Sequence, residues 1–297
     1  MSAPAPTRSR ASTPEVIPQR RPRSPRARWI LAAKALAVAA LLVFTLFPTY
    51  WMVSGAFDAR ASSGAQSLLP SEPTWENFRY VLDEGGFGTF LKNSVIVALL
   101  TVLASGILAL LASVAVARFK FKFRTAILMM ILIIQMVPLE ALVIPLFVQV
   151  RDLQLLNSLL GLVIVYVAFS LPFGIWMLRG FVAAVPEELE EAAYIDGASW
   201  GRMFWSVLLP LVAPGLVATS VFSFITAWNE FIFALTFMDN ADNYTVAVGL
   251  QQFFGENSNQ WGYVMAGSTL ITLPVMIFFI LVQRRLSSGL VAGAVKG

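Results

Sequence analysis

The sequence predicts an all-α membrane protein with six transmembrane helices, and two observations lead to that prediction. Of its 297 residues, 58% are hydrophobic and only 13% are charged, whereas an ordinary soluble domain is roughly half apolar and about a quarter charged. The apolar residues also fall into runs of about 20 or more, the length that crosses a bilayer as a helix. Composition therefore disfavours a soluble enzyme and favours a multi-pass membrane protein.

Six apolar runs are long enough to cross the membrane. The third contains Pro138 and Pro145, and the fifth is long for one span and contains Pro214, so both are expected to bend. The predicted spans are residues 29–53, 90–117, 125–148, 158–178, 205–238 and 263–283.

The distribution of Lys and Arg predicts the orientation, because cytoplasmic loops carry the excess of these residues. With the N-terminus inside, inner segments hold Arg8, Arg10, Arg20, Arg21, Arg23, Arg26, Arg28, Arg118, Lys120, Lys122, Arg124, Arg179, Arg202, Arg284, Arg285 and Lys296. Outer segments hold only Arg60, Arg79, Lys92 and Arg151. Both termini are therefore expected in the cytoplasm and the chain in the plasma membrane. The net charge of +4 is a topology signal, and no nucleic-acid partner is expected.

Two regions of different character make up the chain. Residues 1–28 are rich in Pro, Ser and Arg and lack an apolar period, so a disordered basic cytoplasmic tail is expected there, with some attraction to membrane lipid. Residues 29–297 form one transmembrane domain. The outer loops within it, 58–89 and 239–262, are too short to form a solute-binding domain, so a separate external protein would have to capture any solute.

Several kinds of chemistry are ruled out by missing residue types. The chain has no Cys and no His, so thiolate or imidazole catalysis and Cys/His metal sites are excluded. It also lacks the Gly-x-x-x-x-Gly-Lys-Ser/Thr loop that cradles nucleotide phosphates. We expect no catalytic residues, no metal and no cofactor in this chain.

One inner loop, residues 181–205, differs from the rest because it is acidic. Pro186 suits the first position of a helix, and glutamates follow it near the positive end of the helix dipole. Gly197 suits a left-handed helix end, and Ser199 suits the cap of the next helix. A helix of about ten residues, or ~15 Å, is therefore predicted outside the membrane.

The predicted inner helix is expected to dock another protein. The three-and-four spacing places Leu189, Ala192, Ala193 and Asp196 on one face, where small alanines allow close approach. The alternative is a helix lying on the membrane surface, although anionic lipid would repel its glutamates.

The segment EAAYIDGASWGRMFWSVLLP, from Glu191 to Pro210, resembles the cytoplasmic coupling motif of ABC importer permeases, with Val207 in place of the usual Ile. The resemblance extends from about residue 29 to the C-terminus. Features that resemble the maltose-type carbohydrate branch are Asp196-Gly197-Ala198, Pro172-Phe173 with Trp176, Trp228-Asn229-Glu230, Thr74 to Phe78, Asn93-Ser94, and the close Gly289-Leu290 with Gly293 to Gly297.

This resemblance implies a mechanism and a set of partners. A second, similar permease would pair with this chain, two ATP-binding cassette ATPases would bind ATP and Mg²⁺ beneath it, and an external solute-binding protein would deliver a sugar. Helix 191–197 would transmit ATPase closure to the spans, an alternating-access switch. The implied coupling residues are Glu191, Ala192, Ala193, Asp196, Gly197 and Pro210, and the tail residues Lys296 and Gly297 are implied ATPase contacts.

Structural explanations stay open for some of these residues. Gly197 could simply end a helix, Pro210 could bend the chain as it re-enters the membrane, and the tail could be a frayed end.

The predicted solute path rests on two acids inside spans, Glu140 and Glu230, because a carboxylate there should face protein or water. Trp228 and Asn229 precede Glu230, and an aromatic platform beside polar groups suits a sugar. The alternative is that both acids only hold helices or bent backbone in place.

Three other functions remain open from the sequence. A proton-coupled secondary transporter would share the intramembrane acids but leaves the acidic inner helix unexplained. An intramembrane enzyme would need Glu140 and Glu230 to meet as an acid pair. An ABC permease for glycerol phosphate, phosphonates, peptides or amino acids would share the coupling motif.

Overall fold

The computed structural model describes residues 25–63, 67–255 and 260–294. Within those ranges the chain is helical and forms no strand beyond an isolated bridge between Asp58 and Pro73. The all-α prediction is thereby confirmed for the described part of the chain.

The α-helices of that part are numbered here in chain order. They are α1 (Pro25–Ala56), α2 (Glu76–Asp83), α3 (Phe87–Arg118), α4 (Arg124–Ile134), α5 (Val143–Asp152), α6 (Leu159–Ala184), α7 (Glu187–Ile195), α8 (Trp200–Met203), α9 (Leu209–Asn229), α10 (Ile232–Phe237), α11 (Val246–Gly249) and α12 (Trp261–Ala294). Short 3₁₀ turns occupy Ala59–Ser63, Leu139–Leu142, Ala241–Asn243 and Leu250–Phe253, and a π-helical turn occupies Phe204–Leu208.

Among the described residues, five helical runs are long and apolar enough to cross a membrane. They are Trp29–Ala56, Phe87–Arg118, Leu159–Ala184, Trp200–Asn229 and Trp261–Gln283, and they correspond to predicted spans one, two, four, five and six. Helix α1 begins at Pro25, so the last four residues of the predicted basic tail are helical. Residues 1–24 of that tail lie outside the described residues.

The predicted third span, 125–148, bends as its prolines predict, and the bend is sharp enough to divide it into two helices. The segments Arg124–Ile134 and Leu139–Asp152 bend away from each other by 97°. Pro138 precedes the 3₁₀ turn, has no N–H to continue a helix, and forces the residue before it out of helical geometry. This pair makes a sixth span only if it crosses the membrane as one broken unit.

The predicted fifth span, 205–238, is wrong at both ends. It starts earlier, at Trp200, and breaks where Glu230 adopts an extended conformation with ψ 129°. Just before Pro210 the helical hydrogen bonds change from the i→i−4 to the i→i−5 pattern. The Leu209 N–H bonds to the Phe204 carbonyl, five residues back. Proline cannot donate the next helical bond, which accounts for the local π turn.

The chain divides into two compact units, residues 1–50 and residues 51–297. In the described part of the first unit, α1 is a continuous apolar helix. In the second unit, α3, α6 and α9 pack against one another, and α12 packs on α9 and α2. Ser105 on α3 donates to Ser223 on α9 at 3.2 Å.

The core that the described residues of the second unit form consists of two apolar clusters. The larger one surrounds Leu162, Tyr166 and Trp228. The smaller one, called here the inner cluster, comprises Ala109, Leu110, Val114, Leu178, Val182, Val185, Met203, Phe204, Leu208 and Val212. The inner cluster contains Val182, Val185 and Met203, which precede and follow α7 in the chain. It therefore anchors both ends of the segment that includes α7.

Side-chain amides and one carboxylate organise the predicted outer connections. Asn93 donates to the Asp242 and Tyr244 carbonyls at 2.8 and 3.0 Å, which ties α3 to the connection before α11. The carboxylate of Asp58, which is fully buried, accepts backbone N–H groups from Arg60, Ser71 and Glu72. The Thr74 hydroxyl accepts the Glu76 N–H at 3.1 Å, and α2 begins at Glu76 with Trp75 as the N-cap residue.

Candidate functional site

Helix α7 confirms the short helix predicted from the acidic loop. It runs from Glu187 to Ile195 after Pro186, whose backbone is extended. Glu187, Glu188 and Glu190 occupy its first turn, where carboxylates are stabilised by the helix dipole.

The end of α7 is set by Gly197, which has a φ of +82°. The Ala198 N–H bonds back to the Ala193 carbonyl at 2.9 Å, and the Gly197 N–H bonds to the Tyr194 carbonyl at 3.0 Å. This pair of bonds is the Schellman arrangement, which a left-handed residue makes possible. Ser199 then caps α8 by accepting the Arg202 N–H at 3.4 Å, as predicted.

The two faces of α7 differ in burial. Leu189, Ala192 and Asp196 are exposed, and Ile195 lies beside them with 86% of its surface accessible. Leu189 and Ile195 therefore place two large apolar side chains at the exposed surface of α7. Ala193, which was predicted on the same face, is instead half-buried and packs on the inner cluster.

Arg118, the last residue of α3, forms hydrogen bonds to α7 and to the turn that precedes it. Its Nε donates to the Glu190 carboxylate at 2.7 Å, and its Nη2 donates to the Val185 carbonyl at 2.9 Å. Glu187 lies 3.9 Å away. The Arg118 and Glu190 side chains are only 11% and 12% exposed. Breaking a buried pair by removing one partner costs about 3–5 kcal/mol.

A small hollow lies beside the end of α7, with a volume of about 280 Å³. It is lined by Ala193, Asp196, Ala198, Arg202, Ser206 and Val207. Pro210 is the second residue of α9 and follows the π turn, so the structure associates it with that turn at the start of the helix. Lys296 and Gly297 lie outside the described residues.

Glu230 fills the break between α9 and α10. Its carboxylate accepts the N–H groups of Phe233 and Ala234 at 2.9 and 3.1 Å and the hydroxyl of Tyr166. It therefore caps α10, where the helix leaves its first donors unpaired. This geometry favours the structural alternative for Glu230 over contact with a solute.

Trp228 is also part of the core. It is 2% exposed, and its ring stacks on Phe224, which stacks on Phe278 of α12. Asn229 is exposed at the same break. Asn229 is therefore exposed and Trp228 buried, while Glu230 is half-buried with three hydrogen-bond donors on its carboxylate.

Glu140 differs from Glu230. It lies in the 3₁₀ turn of the α4–α5 break and is exposed, and in the described part of the chain no ion pair or hydrogen bond to its carboxylate is found. Leu139 and Leu142 of the same turn line a hollow of about 440 Å³, called here the break hollow. Its other lining residues are Ile134, Gln135, Val137, Phe169, Pro172, Phe173, Phe222 and Thr226.

The break hollow combines an aromatic wall with a few polar groups. Phe173 and Phe222 stack with centroids 3.9 Å apart. Gln135 and Thr226 add an amide and a hydroxyl. Ligand sites are generally apolar concavities with a few placed polar groups.

Sequence reasoning missed Arg118 and the break hollow. In the sequence, Arg118 contributes only to the excess of Lys and Arg in the predicted inner segments. Its place at the end of a predicted span, with an acidic loop predicted on the same side, is a signal of charge complementarity that could have indicated the pairing. The hollow depends on how far the chain turns at Pro138, and no local residue pattern encodes that angle.

Comparison with known proteins assigns the family. Residues 105–291 match the family described as binding-protein-dependent transport system inner membrane component. The matched segment contains α7, Glu140 and Glu230, as well as Arg118.

Curated relatives resemble the chain over most of its length. It is 42% identical to the diacetylchitobiose uptake system permease protein DasC of Streptomyces coelicolor, over 86% of this chain and 94% of that one. It is 38% identical to the trehalose/maltose transport system permease protein MalG of Thermococcus litoralis, over 90% and 98%.

A solved structure shares the fold. A chain from a bacterial ABC transporter involved in the import of the acidic polysaccharide alginate superposes with a TM-score of 0.75 at 22% identity, over 88% of this chain and 98% of that one. The chain is therefore a multi-pass membrane protein that belongs to the family of binding-protein-dependent transport system inner membrane components.

Proposed function

We propose that this chain is the permease subunit of an ABC importer that carries a di- or oligosaccharide across the cytoplasmic membrane. The observation that carries the proposal is α7, a short acidic helix between two spans. Arg118 of α3 binds it, and the left-handed Gly197 ends it. Its outward face offers Leu189, Ala192 and Ile195 to a protein partner.

The energy for transport would come from partner subunits. Two ATP-binding cassette ATPases would bind ATP and Mg²⁺, and one would receive α7 in a surface cleft through Glu191, Ala192, Asp196 and neighbouring residues. Gly197 and Pro210 would set the shape of the segment, and the tail at Lys296 and Gly297 would add a further ATPase contact. The chain would itself be a transport subunit without enzymatic activity, consistent with the lack of a phosphate-binding loop in its sequence.

The remaining partners follow from the same assembly. A second, homologous permease would complete the solute path, and an extracytoplasmic protein would deliver the sugar, as the family description indicates. The orientation would place both termini and α7 in the cytoplasm, which agrees with the excess of Lys and Arg in the inner segments.

The sugar class is supported by the relatives and by the α4–α5 break. The relatives are named for diacetylchitobiose and for trehalose and maltose. In this chain, Glu140 and the break hollow offer a carboxylate, an amide, a hydroxyl and an aromatic pair to a solute. We place the solute path there rather than at Trp228 and Glu230, whose side chains already have other contacts.

The experiment that tests this proposal has two steps. The intact chain is first isolated from its native membrane in mild detergent, and the proteins that accompany it are identified. The complex is then reconstituted in vesicles with its binding protein, and ATP-dependent uptake of labelled diacetylchitobiose, trehalose and maltose is measured against a dipeptide and glycerol phosphate.

Co-purification of an ATP-binding subunit with saturable uptake of one of the sugars is the expected result. Uptake of the peptide or glycerol phosphate alone would contradict the sugar assignment. Recovery of the chain without an ATPase, with uptake driven by a proton gradient, would contradict the importer itself.

A further inference from the structure

We propose that Arg118 is a positioning residue that fastens α7 to α3, so that movement of α7 is passed to the transmembrane helices as a rigid unit. This inference rests on the proposed coupling role of α7. It concerns how the spans receive the movement, and it assigns that task to a residue outside the acidic loop.

The two covalent connections of α7 do not by themselves fix its orientation. At one end the chain enters through Val185 and Pro186, both extended at ψ 123° and 132°. At the other end it leaves through Gly197 in the left-handed region and Ser199 at ψ 162°. A short helix held only at its two ends can turn about the line that joins them.

Apolar packing adds little restraint. Helix α7 has no fully buried residue, and its apolar contribution to the inner cluster is the half-buried methyl group of Ala193. The large apolar side chains of α7, Leu189 and Ile195, are exposed.

Arg118 supplies the third point of attachment. Its guanidinium binds Glu190 on α7 at 2.7 Å and the Val185 carbonyl at 2.9 Å, so one side chain joins the helix and its entry turn. Because both charged side chains are nearly buried, water competes poorly for these hydrogen bonds. With three attachments, α7 cannot rotate without moving the end of α3.

Helix α3 is suited to pass the movement on. It packs along both α6 and α9, and a Cβ added to Gly174 of α6 would lie 3.0 Å from the Cβ of Ala109. Ser105 also bonds to Ser223 of α9. Displacement of the Arg118 end of α3 would therefore carry the three central helices together.

The test uses the assembled, reconstituted complex and measures sugar uptake and ATP hydrolysis in the same vesicles. Arg118→Gln and Glu190→Gln should each lower the uptake per ATP hydrolysed by about 5-fold or more, the range of a typical coupling energy. Arg118→Lys should fall between these variants and the parent, because one ammonium group lacks the fork that reaches both acceptors. Lys122→Gln, which removes an exposed cation from the same inner loop, is the matched control and should leave the ratio unchanged.

A cysteine pair keeps the test decisive if the single variants assemble poorly. The chain contains no cysteine, so Arg118→Cys with Glu190→Cys can be joined by a short bis-methanethiosulfonate, which forms a disulfide with each thiol and releases sulfinate. Crosslinking should raise the uptake-to-hydrolysis ratio of the double variant, and reductant, which cleaves both disulfides, should lower it again.

Two outcomes separate this inference from the proposed function. In the first outcome, Gly197 variants abolish uptake while assembled Arg118 and Glu190 variants keep the parental ratio of uptake to ATP hydrolysis. Helix α7 then takes part in coupling, but its attachment to Arg118 does not. If neither set changes uptake, the coupling role of α7 fails, and this inference fails with it. A lower yield of complex with an unchanged ratio would assign Arg118 to folding alone and overturn the proposal.

Discussion

The carboxylate of Glu230 stabilises a break in a transmembrane helix rather than offering a free charge. From the sequence it was one of two equivalent intramembrane acids. The structure separates them, because Glu230 has three hydrogen-bond donors and Glu140 is exposed. The distinction could not be read from sequence, since it depends on Tyr166, which is 64 residues away in the chain.

Replacing Glu230 with Ala should destabilise the folded chain by about 1–3 kcal/mol, because the donors of α10 and Tyr166 lose their acceptor. Tyr166→Phe removes a single donor and should cost less. Thermal unfolding in detergent measures both effects, and solute affinity of the surviving complex serves as the second readout. A changed affinity with unchanged unfolding would mean that Glu230 touches the solute after all.

The buried carboxylate of Asp58, in the first predicted outer connection, should make the free energy of unfolding depend on pH. Burial acts to raise the pKa of its carboxyl, but hydrogen bonds from three backbone N–H groups, together with the charge of Arg60, lower it overall from the ordinary value of 3.8. A lowered folded-state pKa means that the charged carboxylate stabilises the fold at neutral pH. That contribution is lost as the pH falls below the ordinary value and through the lowered one.

The measurement compares the thermal unfolding of the parent chain and Asp58→Asn over pH 7 to about 3. The variant should be less stable by about 1–3 kcal/mol at neutral pH, because its amide group cannot accept all three N–H bonds. The gap should narrow towards acid pH. A gap that stays constant with pH would show that the carboxylate charge does not contribute.

At the scale of the elements, signals carried by neighbouring residues were read correctly from sequence. Gly197 and Ser199 predicted where α7 ends and what caps α8, and Pro186 marked the start of α7 to within one residue, because caps and left-handed turns are local. The prolines predicted a bend in the span 125–148, but its angle of 97° depends on packing beyond the local sequence. The span 205–238 was predicted too long, because hydropathy measures apolar length and does not detect an acid such as Glu230 that caps a broken helix.

Gly197 gives the sharpest test of the α7 geometry. At φ +82°, a β-branched residue is strained by roughly 1–2 kcal/mol, so Gly197→Val should disturb the turn that orients α7. We expect membrane insertion to persist while sugar uptake is abolished. The control is Gly201→Ala in α8, since an added Cβ there meets nothing within 4 Å, and uptake should be retained. Parental uptake in Gly197→Val would remove α7 from the coupling mechanism.

For the whole molecule, composition predicts an all-α membrane protein, and the acidic loop predicts the family resemblance. The helical architecture of the described residues and the family are confirmed, with five candidate spans, or six if the bent pair crosses as one. The inside–outside assignment is a prediction of a different kind, because it rests on the count of Lys and Arg alone. The absence of cysteine makes it directly testable.

Single cysteines should react with a membrane-impermeant maleimide according to their side. Asp239→Cys, in the predicted outer connection, should be labelled in intact cells. Glu188→Cys, on α7, should be labelled only after the membrane is opened. Both positions are exposed, so access depends on the side of the membrane. Labelling of Glu188→Cys in intact cells would show that the chain has the opposite orientation.

The central claim, that α7 docks on an ATPase, is tested most directly by a photo-crosslinking amino acid at Ala192 in native membranes. Ala192 is exposed on the outward face of α7, so irradiation should join the chain to an ATP-binding subunit, identified by mass spectrometry. The same probe at Asp239 should give no such adduct. An assembled complex that transports sugar yet yields no ATPase adduct from position 192 would contradict the account.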